Sequence, residues 1–173
     1  MTIPFNPSLN LIAFSTQAGF EFKHDEAGAG VFYNIGWANR LFIRPRPEGF
    51  LRISKASRND AEQYLLDAEV AAAAEAFFWM TFGSDVRAEM GLPGVQLPIS
   101  RGEVYPPFVI CELGESSLVL TDGEKRPVVS VRRKWDPALD IGRLVKISCV
   151  LAASPEAVQA SFLDPTGSPL FTT

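Results

Sequence analysis

The sequence predicts an α+β domain: antiparallel strands in two groups, about seven in all, packed on one long central helix, with short helices toward both ends. Two observations carry that expectation. From Asn59 to Phe82 the chain keeps helical spacing over the longest periodic stretch it contains. On both sides of it, short runs alternate apolar and polar residues with a period of two, punctuated by glycine and proline.

Asn59 is placed to cap the first turn of that helix, with Asp60 and Glu62 where the exposed amides need negative charge. Ala61, Tyr64, Leu65, Ala68, Ala71, Ala72, Phe78, Trp79 and Phe82 repeat on one side, and Gly83 reads as the stop. Such a helix is roughly 36 Å long, enough to form the spine of the core. Ala71 to Ala74 are small enough to let another backbone come close, whereas Phe77 to Phe82 are bulky and need burial.

Taking the chain in order, Asn6-Pro7-Ser8 starts a short amphipathic helix that Gly19 ends. Phe20 to Asp25 alternate, glycines 28 and 30 turn the chain, and Val31 to Ile35, Arg40 to Arg44 and Phe50 to Ser54 complete a four-stranded antiparallel meander. Beyond the long helix, Ser84 caps a short turn through Met90, and GLPGVQLPISRG is a connecting loop. Phe108 to Leu113, Ser117 to Thr121 and Pro127 to Arg132 form the second strand group. Asp122-Gly123 reads as a hairpin turn in which the glycine takes the positive φ. Asp136-Pro137 opens a segment over 138–152 that its cap makes a helix, although Val145, Ile147, Cys149 and Leu151 also alternate as in a buried strand. Ser154-Pro155-Glu156 begins a last short helix, and in the FLDPTGSPLF tail a turn precedes two apolar residues that dock on the surface.

Length and composition narrow the function. A chain of 173 residues fits a single domain spanning 1–173, and 47% hydrophobic with 21% charged residues is the balance of a folded protein. A net charge of −4 argues against nucleic acid and anionic membranes as partners, which call for a basic surface, and suits a basic protein instead. The start has no secretory pattern, and no apolar run reaches the roughly 20 residues of a bilayer span, so a cytoplasmic protein is expected. Cys111 and Cys149 sit among apolar neighbours and read as buried thiols.

The candidate chemistry reduces to structural explanations. His24 is the sole histidine, which removes every scheme needing two. Gly28-Ala29-Gly30 lacks the rest of a phosphate-binding signature and precedes a strand rather than a helix. The acidic pairs Asp25/Glu26, Asp60/Glu62 and Asp122/Glu124 all fall at turns or a helix start, where backbone amides attract carboxylates. Arg40, Arg44 and Arg46 near Trp37, and Arg132, Arg133 and Lys134 beside Trp135, mix arginine with aromatic residues as protein interfaces do. No nucleophile, metal set or cofactor motif appears, so neither enzyme nor cofactor is expected.

Three strings, GAGVFYNIGWANRLFIRPRPEGFLRISK, the alanine-rich helix with AFFWMTF, and SPEAVQASFLDPTGSPLF, give the chain a resemblance along nearly its whole length. It resembles the polymorphic-toxin immunity proteins, specifically the mycobacterial immunity factors that neutralise the tuberculosis necrotizing toxin. The resemblance implies an antitoxin that binds an NAD-hydrolysing toxin domain one-to-one as a heterodimer and blocks its active site. The toxin-binding residues expected beside it follow from charge and shape. Two projecting acidic turns suit a pocket that holds dinucleotide phosphates: His24, Asp25 and Glu26 on one, Asp122 and Glu124 on the other, with Trp37, Arg44 and Trp135 at the rim. The competing readings are a non-catalytic small-ligand binding module, which needs a concave apolar pocket, and an enzyme dependent on His24 or a carboxylate pair.

Overall fold

The computed structural model describes residues 4–132 and 136–173. Among them, helix α1 (Leu9–Gln17) leads into strands β1 (Phe20–His24), β2 (Gly30–Asn34), β3 (Asn39–Pro45), β4 (Leu51–Ser57) and β5 (Gln63–Ala68). Helix α2 (Ala71–Glu89) follows, then β6 (Val109–Leu113), β7 (Ser117–Thr121), β8 (Pro127–Arg132), α3 (Pro137–Leu151) and α4 (Pro155–Leu163). The α+β class holds. The strands number eight rather than seven, and the two expected groups are one antiparallel sheet in the order β1-β2-β3-β4-β5-β8-β7-β6, joined where Asp67 and Ala68 pair with Ser130 and Val129.

The extra strand comes from the predicted helix. Residues 63–68 are extended, and α2 begins only after Val70. Gln, Leu, Asp and Ala carry no strand propensity, so local preference is overridden by what β4 offers: Ile53 pairs with Leu66, Arg52 with Asp67 and Leu51 with Ala68. At its other end α2 runs through Gly83 and absorbs the predicted Ser84 turn. Gly83 is there for packing, because a Cβ on it would lie 2.3 Å from the Phe162 ring of α4.

Sequence-readable caps fix the other helices. Helix α1 starts two residues later than the Asn6-Pro7 pattern predicts, with Ser8 as its cap: Ser8 Oγ accepts from Leu11 N and donates to Glu75 of α2, tying α1 to the central helix. Asp136 accepts from Ala138 N with Pro137 behind it, which settles 138–152 as helix, and Ser154 accepts from Ala157 N at the start of α4. In the β7–β8 turn the positive φ falls on Lys125, not Gly123, because Asp122 Oδ1 accepts from both Glu124 N and Arg126 N and shapes the turn itself.

All four helices share one core with one face of the sheet. Phe32 packs on Phe78 and Phe82 of α2, Phe20 on Phe82, and Trp79 on Phe14 of α1. Buried Ala73, Ala74 and Ala76 keep the first half of α2 slim. Cys149 is buried in this core. Cys111 is exposed, contrary to expectation, because it lies on the edge strand β6 opposite Val119, on the face the helices leave uncovered. Phe171 of the tail is buried against Phe162.

One buried charge organises the far end of the core. Arg87 of α2 is 1% exposed, and its guanidinium donates to the carbonyls of Pro93, Ser161, Phe162, Asp164 and Pro165. These are carbonyls at the C-terminus of α4 and the turns beside it, which lack helical partners and sit at the negative end of the helix dipole. Replacing Arg87 by Met strands them, and we expect a loss of about 3–5 kcal/mol, read in thermal melts as a fall of roughly 10 °C. Gly83→Ala is expected to destabilise as well. Its overpacking cost of about 1–3 kcal/mol exceeds the gain of about 1 kcal/mol in helix propensity.

Candidate functional site

Because the helices occupy one face of the sheet, alternate residues of β1 to β5 are presented on the other. On β3, Leu41 and Ile43 point into the core while Arg40, Phe42 and Arg44 point outward. The outward side chains form a lattice of arginines and aromatic rings. The Arg44 guanidinium lies 4.8 Å from the Phe42 ring, grips Glu62 through two bonds of 3.0 and 2.9 Å, and reaches Asp25 at 3.3 Å. Arg52 repeats the arrangement, holding Asp67 at 2.8 and 3.0 Å between the rings of Phe50 and Tyr64, and Arg132 lies over Tyr64 at 4.9 Å. Burial, with the Asp67 charge beside it, pushes the Tyr64 hydroxyl well above its ordinary range, so it stays protonated.

A second cluster sits on β1 and β2. The Trp37 ring stacks on Tyr33 at 4.4 Å and 11°, Lys23 lies 4.2 Å above Trp37, and the Tyr33 hydroxyl donates to Glu21. Trp37 holds a φ of 58°, a conformation an aromatic residue avoids, next to Gly36 at 74°, and it remains 42% exposed.

The residues expected to bind the toxin fall in three places. His24, Asp25 and Glu26 form the β1–β2 tip, where Arg44 joins them through Asp25. His24 is exposed, with Nε2 3.0 Å from the Phe5 carbonyl. Asp122 and Glu124 form the β7–β8 tip at the same end of the sheet, five strand positions away, or roughly 24 Å at about 4.8 Å per strand. Trp37 belongs to the β2–β3 connection at the opposite end, folded back over the open face. Trp135 lies outside the described residues.

Most of the tip carboxylates are engaged within the chain. Asp25 Oδ1 accepts from Ala27 N and Ala29 N, and its other oxygen meets Arg44. Asp122 accepts from Arg126 N and Glu124 N and pairs with the Arg126 side chain, which also pairs with Glu124. The Arg126 amide, helped by its guanidinium, holds the Asp122 carboxyl below its ordinary value. Sequence reasoning missed Arg52, Glu62, Tyr64 and Asp67 as members of this face, since three of them sat in the predicted helix. The one available signal was the run of outward arginines on β3 and β4, which needs acidic partners on the next strand.

A face of arginines and aromatic rings, stiffened by ion pairs and backed by four helices, is the build of a protein that works by binding another protein. The chain belongs to the Immunity protein 61 family, whose model matches residues 14–170, and it is an immunity protein, an antitoxin in role. It is 32% identical over 145 residues to the "Immunity factor for TNT" of Mycobacterium tuberculosis and to the same degree to the "Immunity factor for TNT homolog" of Mycobacterium bovis. In each case this is 84% of this chain and 79% of the relative. The solved structure of Rv3902c from M. tuberculosis superposes with a TM-score of 0.87 at 27% identity, covering 99% of this chain and 97% of that one.

Glu62 provides a measurable handle on the open face. Burial opposes its charge, but Arg44 and Ser54 win and hold its pKa below the ordinary 4.5. A carboxylate lowered on folding stabilises above its unfolded value and loses that contribution as pH falls through its folded one. Wild type is therefore expected to melt above Glu62→Gln at pH 7, with the gap closing as the pH is taken from 5 toward 3. A gap independent of pH would show that the ion pair contributes nothing.

Proposed function

We propose that this protein is the antitoxin of an NAD-hydrolysing toxin domain, which it binds one-to-one in the cytoplasm of the producing cell, covering the toxin's active site without catalysis or cofactor. The whole chain, 1–173, acts as one domain in this reading. The observation that carries it is the open face of β1 to β5 in a chain whose curated relatives are immunity factors for TNT. Arginine and aromatic side chains are what binding hot spots are made of. Here they are already held by ion pairs and stacking, which lowers the ordering cost of association. Trp37 and Arg44 lie on this face, with Asp25 and Glu26 at its border. Asp122 and Glu124 stand at the far rim, and Trp135 follows β8 in the chain.

No helix among the described residues is long and apolar enough to cross a membrane. NAD hydrolysis by a TNT toxin domain, followed while this protein is titrated in, tests the proposal. Activity should fall linearly to zero and break at equimolar protein. Full activity at large excess would sink it. Trp37→Ala is expected to weaken inhibition by about tenfold or more, as loss of an exposed aromatic anchor does, while leaving the melting temperature within a few degrees.

A further inference from the structure

At the corner of the molecule beyond Trp37, the α1–β1 turn, the β2–β3 connection and the last turns of α2 enclose an open cleft of about 370 Å³. Asp85 and Glu89 of α2 line it, with Asn34 and Asn39 opposite and Ile35 on its lip. Both carboxylates are badly placed for the stability of the free protein. They are like charges one helical turn apart, which repel, and they sit in the C-terminal half of α2, toward the negative end of the helix dipole. Neither has an ion-pair partner among the described residues, although Asp25, Glu62, Asp67, Asp122 and Glu124 all do. Partial burial, with Glu89 close by, raises the Asp85 carboxyl above its ordinary value.

The opposite wall adds no charge: Asn34 and Asn39 are neutral, and their side-chain oxygens accept from the Asn39 backbone N–H and the Ser57 hydroxyl. Lys23 of β1 lies over Trp37 and Arg40 of β3 donates to the Arg58 carbonyl, both on the open face. Ile35, 91% exposed, stands on the lip of this acidic cleft. An isolated exposed isoleucine is ordinary. One next to an uncompensated acidic cleft and continuous with a stacked tryptophan has the composition of a binding anchor with a polar rim.

We propose that this corner engages the toxin, with Ile35 seated in an apolar hollow and a lysine or arginine of the toxin entering the cleft between Asp85 and Glu89. The inference rests on the reading under Proposed function, because an active site that holds dinucleotide phosphates supplies the basic side chains that complement the cleft. It also explains the unpaired carboxylates. They raise the energy of the free protein and are compensated only in the complex, whereas Asp25, Asp122 and Glu124 of the acidic tips are already paired within the chain.

The test measures the affinity of the TNT toxin domain for the wild type, Ile35→Ser and the double variant Asp85→Asn/Glu89→Gln, each alongside a thermal melt. The double variant should bind at least about tenfold more weakly, lose much of the salt dependence of its association rate, and melt no lower than wild type, because the charges it removes are unfavourable in the free state. Ile35→Ser should weaken binding by about tenfold with an unchanged melt. Variants that bind within about twofold of a tight wild type would overturn this corner while leaving the antitoxin reading intact. A wild type that does not bind the toxin at all would overturn both.

Discussion

Arg87 sets the constraint on which the helical layer depends. A guanidinium buried with no direct ion pair among the described residues is tolerable only if its donors find acceptors, and five carbonyls from the 91–93 turn, the end of α4 and the tail converge on it. Those same carbonyls would otherwise be stranded where the chain leaves α4. Each side therefore solves the other's problem, and the solution works in only one relative placement of α2 and α4. Gly83, one turn earlier on α2, permits the close approach that brings the two helices to that placement. The Asp164 turn seals the end, accepting from Thr166 Oγ1, Thr166 N and Ser168 N.

With four helices locked together on one side, the sheet is left with a single uncovered face. An antiparallel sheet tolerates water on one side, but here that side is not a plain polar surface. Phe42, Phe50, Tyr33 and Tyr64 lie on the outer face of the sheet, with arginines across the rings of Phe42, Phe50 and Tyr64 and Lys23 over Tyr33 rather than reaching freely into solvent. Arginine is suited to this because its planar group stacks and forks at once. The edge is protected in a related way. Arg101 donates to the Ile110 carbonyl and lies near Glu112, so part of the hydrogen-bonding rim of β6 is occupied. The surface is thus guarded at one edge and rigid across the middle.

The parts of this architecture legible in the sequence were those with local causes. Asp136 and Ser154 cap helices because their side chains reach the backbone amides beside them, and the first four strands alternate because one face of the sheet is dry. What escaped has long-range causes. Residues 63–68 read as helix from their own side chains and become strand because β4 presents Arg52 and Ile53 to them. Gly83 reads as a stop and is in fact a contact with a residue some eighty positions later. Lys125 carries a positive φ that the sequence assigned to Gly123, since two bonds to the Asp122 carboxylate outweigh residue preference. The acidic tips were visible as acids, but that Arg44 and Arg126 hold them could be seen only once the strands were aligned.

Uneven compensation of charge is the last physical point. Under the proposed function the partner's active site binds dinucleotide phosphates, so negative charge on this surface is useful, yet negative charge held by internal cations gives little attraction at contact distance. Asp25 and Asp122 each shape a turn, bind an arginine and satisfy backbone amides. Desolvating them against a partner would exchange one good set of bonds for another. Asp85 and Glu89 have nothing of the kind to lose. Carboxylates that repel each other and oppose their own helix dipole gain from any cation brought near, and that gain appears only in the complex. Where a fold of net charge −4 leaves its acids uncompensated is therefore more informative about a basic partner than where it concentrates them.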